Sequence, residues 1–318
     1  MMRTLLLALL LPQDEAEIRR AIERLPSPDP AVRSAAEETL RGAGAAAVPH
    51  LLQALEGEPP GLRDRVAELV RALSEREWKK RDEAMRALAK LDRHAIKHLQ
   101  EHENASDAEV AWRVRSAIAR IQDREPQDRR DETARHAAVL RILGEVGDAR
   151  AVPALLKGLG AGEREVRLAA AESAAALRGH LTAAQVDEAA EAVLALYGED
   201  LRVLEKSLLL RVLAAFRSPV AVKPLSQLLR DRSERNTNLK RNAIATLAAI
   251  GTPEALRAVV AALEDDDPYV RHAAVRHLEP AAGESFGYDP RASADANRAA
   301  VMRFREWWER KSGRKWGE

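Results

Sequence analysis

One short run recurs along this chain, and its recurrence limits the fold more than any other feature. Ala31-Val32-Arg33-Ser34-Ala35-Ala36 returns as Glu165-Val166-Arg167-Leu168-Ala169-Ala170 and as Tyr269-Val270-Arg271-His272-Ala273-Ala274. Leu239-Lys240-Arg241-Asn242-Ala243-Ile244 repeats it again, and weaker copies sit at Arg63, Arg115, Arg135 and Lys206. Most neighbouring copies lie about 30–50 residues apart, the period of arrays in which each unit is one helix pair. A unit of that size cannot bury its apolar stripe alone, so it must stack on its neighbours.

A second motif precedes several copies. Val48-Pro49-His50-Leu51-Leu52 with Leu55 matches Val152-Pro153-Ala154-Leu155-Leu156 with Leu159. Val222-Lys223-Pro224-Leu225 is the same pattern with one insertion. Proline in the first turn costs no hydrogen bond, and the leucines follow at helical spacing. Loops such as Ser27-Pro28-Asp29-Pro30 and Asp265-Asp266-Asp267-Pro268 separate the two helices. Their carboxylates suit the positive N-terminal end of the second helix, and the arginine just inside that helix can reach back toward them.

Composition agrees. Hydrophobic residues make up 46% of the chain and aromatics only 3%, so the core is built from Ala, Leu and Val, and a chain rich in Ala, Leu, Arg and Glu with few β-branched runs favours helix over sheet. Paired alanines let stacked helices approach closely. Cysteine is absent, which removes disulfides, thiolate metal sites and cysteine nucleophiles. The net charge of +1 argues against a chain whose task is coating nucleic acid, because phosphate binding needs an excess of cations.

Together these motifs resemble the HEAT-repeat family, particularly its short bacterial, PBS-lyase-type form, over about residues 14–280. The resemblance implies an all-α, right-handed α-solenoid of about 7–8 helix pairs. Residues 76–92 depart from the pattern, since Arg81-Asp82-Glu83-Ala84 reads as a second-type helix directly after another one. The expected organisation is a possible leader over 1–13, a solenoid over 14–284 and a C-terminal capping segment over 285–318. Met1-Met2-Arg3 followed by the apolar run Leu5 to Leu11 has the form of a secretory leader, though it lacks a small-x-small cleavage site. Export to the periplasm or cell envelope is the leading reading. The alternative is a first helix against the open end of a cytoplasmic solenoid. Seven apolar residues are too few to span a bilayer.

The end of the chain is aromatic. Of five tryptophans, three tyrosines and three phenylalanines, the last stretch holds Phe286, Tyr288, Phe304, Trp307, Trp308 and Trp316. Phe286 to Pro290 cannot be regular helix, and Asp295 to Lys311 reads as a final amphipathic helix. The aromatics either cover the last repeat or dock a partner.

The chain holds no G-x-S-x-G elbow, P-loop or H-E-x-x-H motif. Gly158-Leu159-Gly160-Ala161-Gly162 reads as an inter-helix turn rather than a phosphate loop, because charged Glu163-Arg164-Glu165 follows it. His94, His98 and His102 are four apart, a spacing that places them on one helical stripe and would let two imidazoles chelate a metal. A polar shoulder on an amphipathic helix is the favoured reading of them, and no cofactor is expected. Some HEAT-like enzymes hold iron through several His-Glu dyads; His102-Glu103 is the one dyad here, so that activity does not carry over.

Aligned on the motif arginine, the positions one and five residues later share a face. The first series is Ser34, Asp64, Ser116, His136, Leu168, Ser207, Asn242 and His272. The second is Glu38, Glu68, Arg120, Leu140, Glu172, Arg211, Thr246 and Arg276. Resemblance implies that second helices line the concave surface. Glu38, Glu68, Arg120, Leu140, Leu168, Arg211, Asn242, His272 and Arg276 are therefore the expected partner-binding residues, with an apolar centre at the two leucines. A non-catalytic protein-binding or scaffolding role follows, with an accessory role toward an enzyme or chromophore protein as the runner-up and nucleic-acid binding behind both.

Overall fold

The computed structural model describes residues 12–57 and 61–317; the apolar run Leu5 to Leu11, and the leader read from it, lie outside the described residues. Every regular element among the described residues is helical. The chain divides into two compact units, one ending at Val146 and one beginning at Gly147.

In the first unit, α1 (Pro12–Arg24) and α2 (Pro30–Ala43) form a helix pair. Asp29 caps α2 by accepting from the Ala31 amide, and Pro30 opens the helix. The helices α3 (Val48–Ala54), α4 (Leu62–Ala72), α5 (Trp78–Leu88), α6 (Ala95–Gln100) and α7 (Ala108–Val146) follow. Their packing does not follow their order. α3 lies beside α1 and pairs with α7, which also stacks on α2. α4 and α5 pair with each other, as do α6 and α7, and α4 lies on α6 while α5 lies on α7.

Residues 62–121 are therefore a four-helix insert placed between the two halves of one repeat. Leu62, Val66, Val70, Leu88, Leu99, Val114 and Ile121 belong to a single buried cluster inside it. The helix α7 serves both bodies. Its first half gives Val110, Val114 and Ile118 to the insert, and its second half buries Ala137 to Leu140, Ile142 and Leu143. At 1.5 Å per residue it is about 58 Å long. Pro126 interrupts its hydrogen-bond ladder between the two buried stretches.

The insert corrects two expectations. The solenoid over 14–284 is not a continuous array in the first unit, because the repeat opened by Val48-Pro49 finds its second helix in the latter half of α7. The weak copy at Arg63 lies on α4, which takes the first-helix role, so Glu68 belongs to a first helix and leaves the second-helix series. Residues 76–92 resolve as the expected second-type helix, α5, with α4 as its partner.

The second unit is regular. α8 (Val152–Leu159), α10 (Ala183–Tyr197), α12 (Val222–Arg230), α14 (Pro253–Ala261) and α16 (Ala294–Ser312) make one layer. α9 (Arg164–Ala176), α11 (Val203–Phe216), α13 (Thr237–Ile250) and α15 (Pro268–Ala282) make the other. Short 3-10 turns at 44–46, 149–151 and 219–221 lead into the Val-Pro helices α3, α8 and α12. The glycine-rich run after α8 is the turn into α9.

The repeated arginine has one recurring task. Arg33 donates to the carbonyls of Ser27 and Pro28, and Arg81 to those of Glu75 and Arg76. Arg167 does the same to Ala161 and Gly162, and Arg271 to Asp265 and Asp266. In each case the acceptors lie six and five residues back. The expected partners were loop carboxylates; backbone carbonyls take that place because the aspartates Asp29 and Asp267 are turned onto helix amides.

Past α15 the chain turns through left-handed backbone at Phe286 and Gly287. Phe304 sits edge-on to Phe286 and Tyr288, and Trp308 edge-on to Trp316. α16 packs on α14, burying Phe304 and Trp308, and the Trp308 indole N–H donates to the Pro253 carbonyl at 2.6 Å.

Candidate functional site

The strongest candidate surface lies on α11, α13 and α15. Each helix is started by a local device. The Glu205 carboxylate closes the first turn of α11 by accepting from the Arg202 amide at 2.8 Å and its guanidinium at 2.9 Å. Those hydrogen bonds hold its pKa down at about 2. Asn236 caps α13 through the amides of Asn238 and Leu239, and Asp267 caps α15 through Tyr269. The Thr246 hydroxyl, buried in the layer, donates to the Leu210 carbonyl at 2.8 Å and fixes α13 against α11.

The faces left outside by this packing enclose a groove of about 370 Å³. Val203, Leu204 and Ser207 come from α11, Asn238, Arg241 and Asn242 from α13, and His272, Arg276 and His277 from α15. No acidic side chain lines it among the described residues. Leu204 is 81% exposed, and Tyr269, in the first turn of α15, is 69% exposed. Arg211 extends the α11 stripe one turn past Ser207. Arg211, Arg241 and Arg276 form no ion pair or hydrogen bond with any described residue. The His277 imidazole is lowered below its usual pKa first by partial burial and then by the Arg276 charge.

Asn242, His272, Arg276 and Arg211 of the expected set thus share one surface. The others do not join it. Glu38 is exposed on α2 and Arg120 on the insert half of α7, both in the first unit. Leu140 is 1% exposed and Leu168 9%, so the expected apolar centre of the groove does not exist. Thr246 is buried as well. Leu140 and Thr246 hold the same five-residue offset as the exposed Arg211 and Arg276, so the chemistry of the side chain, and not the offset, decides which of them turns into the layer. Sequence alignment missed Arg241, Leu204 and Val203. Arg241 was hidden because it occupies the motif position that elsewhere clamps a loop, whereas here it points to solvent and Lys240 pairs with Asp265 at 3.1 Å instead.

The histidine stripe is not one. α6 spans only Ala95–Gln100, so His94 precedes it, His98 is buried within it and His102 follows it. No group of three His, Cys, Asp or Glu side chains among the described residues is placed to hold a metal ion. His94 instead enters a polar cavity of about 610 Å³ where the insert meets α1, α3 and the middle of α7. There the Glu132 carboxylate takes a 2.9 Å hydrogen bond from Arg93, with the Nε2 atoms of His94 and His136 each 3.9 Å away. Burial raises the pKa of Asp128 in the same cavity. The lining sets Arg19, Arg93 and Arg135 against a larger number of carboxylates, Glu23, Asp92, Asp128, Asp131 and Glu132. Sequence spacing gave no hint of the cavity, since its residues come from four separate stretches.

A family model described as HEAT repeats matches residues 199–279, which hold α11 to α15 but for the last turn of α15. A model described as PBS lyase HEAT-like repeat matches residues 136–160. No curated protein sequence matches. Among solved structures, human deoxyhypusine hydroxylase is 21% identical over 84% of this chain and 96% of its own, with a TM-score of 0.34. An engineered protein is 20% identical over 67% of this chain and 95% of its own, with a TM-score of 0.33. Kap121p, in complex with Pho4p, is 14% identical over 86% of this chain, which spans only 34% of that longer chain, with a TM-score of 0.36. Scores at this level bear on neither activity nor partner. No helix among the described residues is long and apolar enough to cross a membrane.

Proposed function

The chain is a HEAT-repeat protein, and we propose that it works without catalysis, as a scaffold holding a protein partner on the exposed face of its second helices. One observation carries the reading. Most motif arginines are spent inside the fold, clamping loops or pairing with carboxylates. Arg241, at the motif position of α13, and Arg276, five residues past that of α15, are instead left without partners in one groove with the exposed side chains of Val203 and Leu204, and Arg211, also unpaired, stands further along α11. Unpaired guanidiniums next to apolar area are the composition of protein-binding surfaces, where Arg is enriched and buried contacts are apolar. An accessory role toward an enzyme or chromophore protein would use the same surface.

The test is a charge reversal, Arg211→Glu with Arg276→Glu, in the full chain. Both side chains are exposed, so the helical circular dichroism and melting temperature should stay close to wild type. Proteins cross-linked to wild type in its native cell and identified by mass spectrometry should drop out of the variant's set. Equal recovery by a folded variant would sink the reading.

A further inference from the structure

The chemistry of the α11–α13–α15 groove narrows the partner: we infer that it receives a short acidic segment of another protein that carries an apolar side chain beside its carboxylates. This deepens the scaffold reading and rests on it.

The argument has three parts. The first is charge. Arg241 and Arg276 face the groove, Arg211 continues its α11 side, and no carboxylate lines it among the described residues. Each guanidinium presents a planar fork suited to bidentate capture of a carboxylate. The second is the apolar shelf. Val203 and Leu204 stand in the first turn of α11 at 45% and 81% exposure, and nothing in the chain covers them among the described residues. A leucine that open to water gains most from a partner's apolar side chain. The third is size and neutral polarity. At about 370 Å³ the groove is at the small end of ligand sites, room for a few side chains rather than a domain surface. Asn238 and Asn242 bring amides that both donate and accept, as a peptide backbone requires.

A nucleic acid fits less well. Single strands are held by stacking on aromatic rings along a continuous cationic track. No aromatic side chain lines this groove, and its most exposed apolar member is a leucine.

The experiment uses the full chain and fluorescein-labelled probes, read by anisotropy at low salt. The probes are a Glu/Leu peptide of about fourteen residues with leucines at helical spacing, its Lys/Leu and Glu/Ser counterparts, and an oligoadenylate of the same length. The Glu/Leu peptide should bind about tenfold or more tighter than each of the other three, and weaken as salt rises. Arg241→Glu with Arg276→Glu should lower its affinity by about tenfold or more, and Leu204→Ser by about threefold or more. Equal binding of the Glu/Ser peptide, preference for Lys/Leu, or tighter binding of the oligoadenylate would each overturn the inference. So would variants that remain helical and bind the Glu/Leu peptide as wild type does. If the peptide fails while the cross-linking set still depends on Arg211 and Arg276, the partner chemistry is wrong and the scaffold reading stands. If both fail, the surface itself is wrong.

Discussion

His277 follows Arg276 on α15, and its proton equilibrium reports the electrostatics of the groove from inside. Partial burial is the larger cause of its lowered pKa and the neighbouring guanidinium the smaller. A histidine whose folded pKa lies below its ordinary 6.5 binds fewer protons folded than unfolded. Its contribution to stability is present above pH 6.5 and is lost as pH falls through the folded value. The His277 ring protons, followed by NMR, should titrate with a midpoint below 6.5 in wild type and a higher one in Arg276→Gln. An unchanged midpoint would mean that Arg276 is screened from the ring by solvent. At this scale sequence reading succeeded unevenly. Arg276 and Arg211 were legible because an arginine among apolar neighbours on a helix faces water. Leu140 and Leu168 were not, because a leucine on a helix is compatible with either face.

The recurring element is the arginine that reaches back over its own loop. In the fourth full copy the Arg271 guanidinium holds Asp265, Asp266 and also Pro290, joining the α14–α15 loop to the segment before α16. Lysine keeps the charge but has no planar fork. Arg271→Lys should cost about 1–2 kcal/mol of local stability, read as faster hydrogen exchange at residues 265–268, with Arg271→Ala no less damaging. If exchange there is unchanged, the clamp follows from the loop conformation and does not hold it. The motif announced that an arginine was needed at each second helix. It did not announce the acceptor, since a carbonyl leaves no mark on side-chain sequence.

At the scale of the molecule, the insert decides how the first unit is built. Gly57, just past α3, and Asp128, in the middle of α7, line the same cavity, so the chain leaves and re-enters the repeat at nearly one place. The insert's apolar side chains form their own cluster. Replacing residues 61–124 by a Gly/Ser linker of about four residues should therefore leave α1 to α3 and the rest of α7 folded. Circular dichroism should show helix lost in proportion to the residues removed, with cooperative melting kept. A truncated chain that melts without a transition would show that the insert core supports the repeat it interrupts.

Helix content, the pairing motif, the cap aspartates and the aromatic end were all determined by sequence alone, because each rests on contacts within a few residues or on a periodic stripe. Which helix pairs with which was not. Val48-Pro49 asks for a second helix, and two candidates satisfy the local pattern: α4, next in the chain, and the latter half of α7, far along it. Apolar stripes are interchangeable at short range, so only the closing of two separate cores could choose. The same holds for the binding surface. Local chemistry supplied the arginines, but whether each met a carbonyl, a carboxylate or open water depended on what the stacked helices brought beside it.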